Sequence, residues 1–162
     1  MEHVSIDEID PEPYENAWQS DRRALSDPLN ATNLAITRYA LEPGERFSGS
    51  VHAHADQEEV FVVLEGTATF ETRAGDVTVE KDEAIRFAPG EFQSGYNDGE
   101  ADLVALAIGA PRETEDVRID RIPVLDDRDV ACPDCGHDSM RIPDESDSGL
   151  VCPACGAELD PE

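Results

Sequence analysis

His52 and His54 stand two residues apart, and a carboxylate, Glu59, follows five residues later. On an extended strand, residues i and i+2 project from the same face, so both imidazoles can bracket one metal ion. Two histidines and one carboxylate on a rigid sheet leave coordination positions open for substrate or oxygen, and the donor set suits Fe(II), Mn(II), Ni(II) or Zn(II). A His-x-His pair alone is equally met in hydrogen-bonded or exposed histidines, so the surrounding pattern has to carry the reading.

All four cysteines form two copies of one knuckle, Cys132-Pro133-Asp134-Cys135-Gly136 and Cys152-Pro153-Ala154-Cys155-Gly156, with sixteen residues between Cys135 and Cys152. This usage favours metal over disulfides in a reducing compartment. Four thiolates make a closed tetrahedral zinc site, and the Pro and Gly shape turns whose amides point at sulfur. The intervening stretch is long enough for a β-hairpin. Its apolar content is mainly Met140, Ile142, Leu150 and Val151, too little for a core, so the module draws its stability from metal. It resembles a zinc ribbon, in a structural role or docking a protein partner. Iron in a rubredoxin-like site and a redox dithiol are the rival readings, and His137 is a spare donor.

The elements that must position the histidines read as short β-rich runs: 33–41, 52–54, 60–64, 67–72, 77–80, 84–88, 93–96 and 102–108. Turn signals separate them, including Pro43-Gly44, Glu65-Gly66, Gly75-Asp76, Pro89-Gly90 and Asn97-Asp98-Gly99. If Glu59 points inward, alternation sends Phe61 and Val63 inward too and leaves Val60, Val62 and Leu64 as an apolar outer row. Such a face needs a cover, from the N-terminal arm or a second subunit, and a homodimer is expected. Residues 1–30 read as an arm packing on the barrel, broken by Pro11, Pro13 and Pro28 and anchored by Trp18 and Leu25.

His52, His54, Glu59 and Gly66 resemble the first motif of the cupin superfamily with its spacings kept. Pro89-Gly90, Gln93 and Asn97 resemble the second, with two departures: Gln93 stands where the family usually has a histidine ligand, and Pro89-Gly90 is one residue shorter. The resemblance implies an all-β, cupin-type double-stranded β-helix (jelly-roll) barrel over 31–112; a linker or surface strand is expected over 113–130, and the cysteine pairs put the zinc ribbon over 131–162. It also implies a divalent metal on His52, His54, Glu59 and Gln93, the last through its carbonyl oxygen, with Glu58 as a rival to Glu59. A vestigial site that binds a ligand without metal is the alternative.

The formal charge of −26, with a single lysine, Lys81, spreads along the whole chain. Dispersed carboxylate of this kind fits adaptation to a salt-rich cytoplasm and repels phosphate backbones and anionic lipid, arguing against nucleic acid and membrane partners. The opening residues lack a positive n-region and an apolar h-region, so a cytoplasmic location is expected. Arg38, Arg46, Arg73 and Arg86 are candidates to clamp a carboxylate substrate, with surface ion pairs as the plainer expectation. Phe92 and Tyr96 are candidates for the pocket mouth, with core filling as the plainer one. Two functions follow: a metal-dependent oxygenase or isomerase acting on a small polar molecule, or a non-enzymatic ligand-binding or sensing barrel. No general acid or base stands out, so no catalytic residue is assigned.

Overall fold

The computed structural model describes residues 1–12, 18–143 and 149–160. Among them the chain is built from strands, with one 3-10 turn at Ile6–Glu8 and no α-helix. The strands are β1 (Asp21–Ala24), β2 (Ala35–Leu41), β3 (Val51–His54), β4 (Glu58–Glu65), β5 (Thr67–Thr72), β6 (Gly75–Glu80) and β7 (Ala84–Phe87). They continue as β8 (Gln93–Tyr96), β9 (Leu103–Ala110), β10 (Val117–Ile122), β11 (Arg128–Asp129), β12 (Met140–Arg141), β13 (Leu150–Val151) and β14 (Glu158–Leu159).

Two antiparallel sheets result. One has the order β1-β2-β9-β4-β7, and the other β14-β13-β12-β10-β3-β8-β5-β6, with β11 paired to β10. Each expected run becomes a strand or the core of one. Further strands lie outside those runs, and two of them extend the barrel sheets. β1 lies within the acidic arm and extends the first sheet along β2. β10 lies in the stretch read as a linker or surface strand, and it sits inside the second sheet between β3 and β12. The short cysteine-module strands therefore continue the sheet that carries the histidines. Of the apolar residues expected to stabilise that module, Met140 and Leu150 are buried, whereas Ile142 is 46% exposed.

The barrel core forms where alternation directs it. Tyr39 and four of the five phenylalanines, Phe47, Phe61, Phe70 and Phe87, make one cluster with Leu41, Val63 and Leu103. Phe61 and Phe70 meet at 4.9 Å between ring centroids, and Phe47 stacks on Phe70 at 5.7 Å, within the range favoured by aromatic pairs. Gly95 makes this approach feasible: a Cβ there would lie 2.5 Å from both Phe47 and Phe70. At Gly66, φ is +74° and a Cβ would lie 2.5 Å from the Asp102 carbonyl, so the turn after β4 requires glycine on both counts.

A second cluster lies past β3 on the same sheet. Ile119 pairs with His52 across β3 and with Met140 across β12, and it packs with Val130, Cys132, Met140, Leu150 and Cys152. Outside the first sheet, Val60, Val62, Val104, Leu106 and Ile108 form a half-buried row that ends at Leu64, 39% exposed. Arg23 donates to the Ile6 carbonyl at 3.1 Å, tying the arm to β1.

Candidate metal centre and cavity

On β4, Glu59 turns to the barrel interior and Glu58 turns out, where it pairs with Arg86 at 2.6 Å. β3 presents His52 and His54 to the same interior. One ligand atom from each of His52, His54 and Glu59 lies within 4.8 Å of the other two. Gln93 faces His52 directly across β8, is 3% exposed, and donates from Nε2 to Glu59 at 3.1 Å. Its Oε1 is buried without a partner, as is His54 Nδ1.

The protonation states suit a cation. The Nδ1 proton of His52 is shared between the Ser50 carbonyl at 3.1 Å and the Ser48 hydroxyl at 3.3 Å, which leaves Nε2 bare. Burial pushes His52 down, and burial with the neighbouring His52 brings His54 down to about 4. Burial pushes Glu59 up to about 7 against the lowering effect of Gln93. His54 and Glu59 approach to 3.8 Å, yet between those two values both are neutral and the contact is no ion pair. For a carboxylate so desolvated, with the Gln93 amide as its hydrogen-bond donor and no lysine or arginine among the causes acting on it, a nearby cation would favour the anion. Neutral imidazoles, an uncompensated carboxylate and orphaned buried atoms thus fit a divalent metal.

Above this group the barrel opens into a cavity of about 230 Å³. The inner residues of β9 explain the space: Leu103 and Ala105 fill the core, while Ala107 and Gly109 recede and line the cavity. Gln57 lines it too, held by its Nε2 donating to the Pro111 carbonyl at 2.7 Å. Arg22, Thr37 and Tyr39 form the side toward β1. Sequence reasoning missed Arg22 because Asp21-Arg22-Arg23-Ala24 shows no apolar alternation. The four arginines it did single out lie elsewhere, paired as Arg38 with Asp21, Arg46 with Glu71, Arg73 with Asp120 and Arg86 with Glu58.

Phe92 and Tyr96 do not line the cavity. Arg73 stacks over Phe92 at 3.9 Å and Arg46 over Tyr96 at 4.8 Å. Asn97 is structural: its amide donates to the carbonyls of Leu41 and Ala101, both at 2.9 Å, and its Oδ1 accepts from Gly99 at 3.0 Å.

The four sulfurs also lie within 4.8 Å of one another, with Cys132–Cys155 and Cys135–Cys152 each at 3.6 Å. About 3.7 Å is the spacing that a Zn–S bond near 2.3 Å gives in a tetrahedron. The knuckles repeat bond for bond. The Gly136 and Gly156 amides donate to the backbone carbonyls of Cys132 and Cys152 at 3.0 Å, with φ of +71° and +78°. The Cys135 amide draws the Cys132 thiol down. At Cys152 burial acts upward, but the Cys155 and Ala154 amides prevail and bring it down to about 6. At Cys155 the Ala157 amide acts downward, but the neighbouring thiols Cys135 and Cys132 prevail and push it up to about 12. Four thiolates so close repel one another, and a cation among them offsets that repulsion. His137 stands outside it, bonded through Nδ1 to the Ser139 carbonyl.

Two antiparallel sheets closed around an inward His, His and Glu set define a double-stranded β-helix barrel. Residues 37–109 match the family model described as a cupin domain, and the barrel has the cupin fold. Three solved structures illustrate the likeness. A sugar phosphate isomerase of the cupin superfamily from Silicibacter pomeroyi DSS-3 superposes with TM-score 0.62 at 17% identity, over 98% of this chain and 92% of that one. The polyketide cyclase RemF from Streptomyces resistomycificus gives 0.60 at 21%, over 83% and 88%. A protein from Acidithiobacillus ferrooxidans ATCC 23270, provisionally named a sugar phosphate isomerase, gives 0.55 at 25%, over 62% of this chain and 63% of that one. The match thus spans less than two thirds of that last protein's length. No curated protein sequence matches the chain significantly. No helix among the described residues is long and apolar enough to cross a membrane.

Proposed function

We propose that the barrel is a divalent-metal site on His52, His54 and Glu59 and acts as a metal-dependent enzyme, an isomerase or oxygenase, on a small polar molecule. The observation that carries this reading is the convergence of three ligand atoms, two imidazole nitrogens and the oxygen of a half-buried carboxylate, within 4.8 Å of one another. When bound, the metal supplies a Lewis acid with open positions. The chain's own part is to hold that centre. Ser50 and Ser48 fix the His52 tautomer, Gln93 orients Glu59 by a hydrogen bond, and the apolar wall of Phe47, Phe61 and Ala107 keeps bulk water from the cavity floor. The names of the superposed isomerases support the substrate class of small polyhydroxylated molecules.

The four-cysteine module holds zinc in this proposal and anchors β10 beside β3, and a homodimer covers the outer apolar row. One feature favours the non-enzymatic alternative: Gln93 is not titratable, and Tyr39 and Arg22 are the titratable cavity residues that remain once the three ligands are set aside. Elemental analysis of protein purified without added metal, for wild type and His52→Ala, tests the proposal. Two metals per chain in the wild type and one in the variant support it. One metal in both sinks barrel metallation.

A further inference from the structure

We infer that Arg22 is an anion-binding residue of the cavity and that the ligand of the barrel carries an oxyanion, a carboxylate or a phosphate, at the end away from His52, His54 and Glu59. This rests on the reading of the barrel as a ligand site. Among the described residues Arg22 is the one lysine or arginine lining the cavity, in a chain with 38 acidic residues and 12 basic ones. β1 places it on the inner face, directly opposite Tyr39.

Its guanidinium is held in place. Nε donates to the Tyr39 hydroxyl at 3.1 Å, and the guanidinium carbon lies 5.8 Å from the centroid of that ring. Tyr39 is itself buried in the aromatic core, so the barrel holds the cation from one side.

The terminal nitrogen Nη1 pairs with Glu12, whose amide donates to the Arg22 carbonyl at 2.8 Å. A carboxylate of this chain therefore already occupies the guanidinium. With its side chain 40% exposed, Glu12 can yield to a ligand anion without leaving a charge buried and unpaired. Between Arg22 and Glu59 the cavity wall is made by Tyr39, which holds Arg22, and by small inner residues, Ala35 and Thr37 on β2 and Ala107 and Gly109 on β9. β1 and β4 are three strand spacings apart, about 14 Å across the sheet, and Arg22 is in line with Val63 of β4, on the same inner face as Glu59 but four residues along the strand from it; both line one cavity. A molecule of a few carbons, reached by the long arginine side chain, bridges that span.

The test uses one three-carbon skeleton in three charge states, glycerol, glycerate and glycerol 3-phosphate, titrated calorimetrically into the full-length protein with its metals. At least one of the two anions should bind about tenfold or more tightly than glycerol, and which of them does so distinguishes carboxylate from phosphate. In Arg22→Gln the preference should collapse, with the metal content unchanged. Glu12→Gln, which removes the internal competitor, should raise anion affinity severalfold. Tyr39→Phe, which frees the guanidinium, should lower it severalfold, and these two variants keep the test alive if Arg22→Gln does not fold. A wild type with no preference for either anion, or a preference that survives Arg22→Gln, overturns the inference. The elemental analysis of His52→Ala is untouched by either result, so failure here is distinct from failure of the metal reading.

Discussion

Shortening Ile119 tests whether barrel and cysteine module are one cooperative unit. The residue is 5% exposed, sits on β10 between β3 and β12, and packs with Cys132, Met140 and Cys152. Ile119→Val removes one methylene from this cluster and should cost about 0.5–1.5 kcal/mol, and Ile119→Ala should cost about 2–5 kcal/mol. For a chain of this size each kcal/mol moves the melting temperature by about 2–4 °C. The alanine variant should therefore melt about 4–20 °C lower and the valine variant about 1–6 °C lower. Two probes separate the halves. The single tryptophan, Trp18, lies against the region of Gly49 and Val124 on the barrel side, and release of thiol-bound metal to a coloured chelator reports on the module. Because β10 is hydrogen-bonded to both, the two signals should fall together. If metal release shifted while tryptophan fluorescence melted at the wild-type temperature, the idea of one shared sheet would be refuted.

Three further outcomes follow from the packing and charge. Gly95→Ala forces a methyl against Phe47 and Phe70 at 2.5 Å and should cost about 1–3 kcal/mol in urea unfolding, with metal content preserved. Asn97→Ala strands the Leu41 and Ala101 carbonyls and the Gly99 amide, for a loss of about 2 kcal/mol or more by the same measurement. Asp116 is held below the usual carboxylate range, first by its bonds to Arg118. A depressed folded value means stability present above the ordinary carboxylate pKa and lost as pH falls through the folded one. Asp116→Asn should therefore lower stability at neutral pH slightly and flatten its loss in acid, read from melts at pH 7 and below pH 4.

The parts of the molecule legible in the sequence are those governed by alternation and turn chemistry. The turn at Glu65-Gly66 follows from turn chemistry, and period-two patterning puts Glu59, Phe61 and Val63 on one face without saying which face is inward, a choice that left Glu58 as a rival ligand; the paired knuckles announce themselves by spacing. β1 was not legible, and β10 was legible only as one of two alternatives, a linker or a surface strand. Both are arginine- and aspartate-rich strands whose sheet membership depends on neighbours distant in sequence, Tyr39 for Arg22 and His52 for Ile119. Arg22 was hidden for the same reason, since its place in the cavity comes from sheet pairing and not from any local signal. Gln93 was legible as a departure from a motif, but its role as hydrogen-bond donor to Glu59 depends on β8 of one sheet facing β4 of the other.

The continuous second sheet bears on where this protein can be divided. β10 covers the outer edge of β3, whose other side is paired with β8 at His52. A chain ending at residue 112 would leave the amides and carbonyls along that edge of the histidine strand unpaired, a template for pairing with another molecule. Such a shortened protein should self-associate through the very strand that carries His52 and His54. The four cysteines at the far end of the sheet thus also act to keep the histidine strand from becoming an open edge.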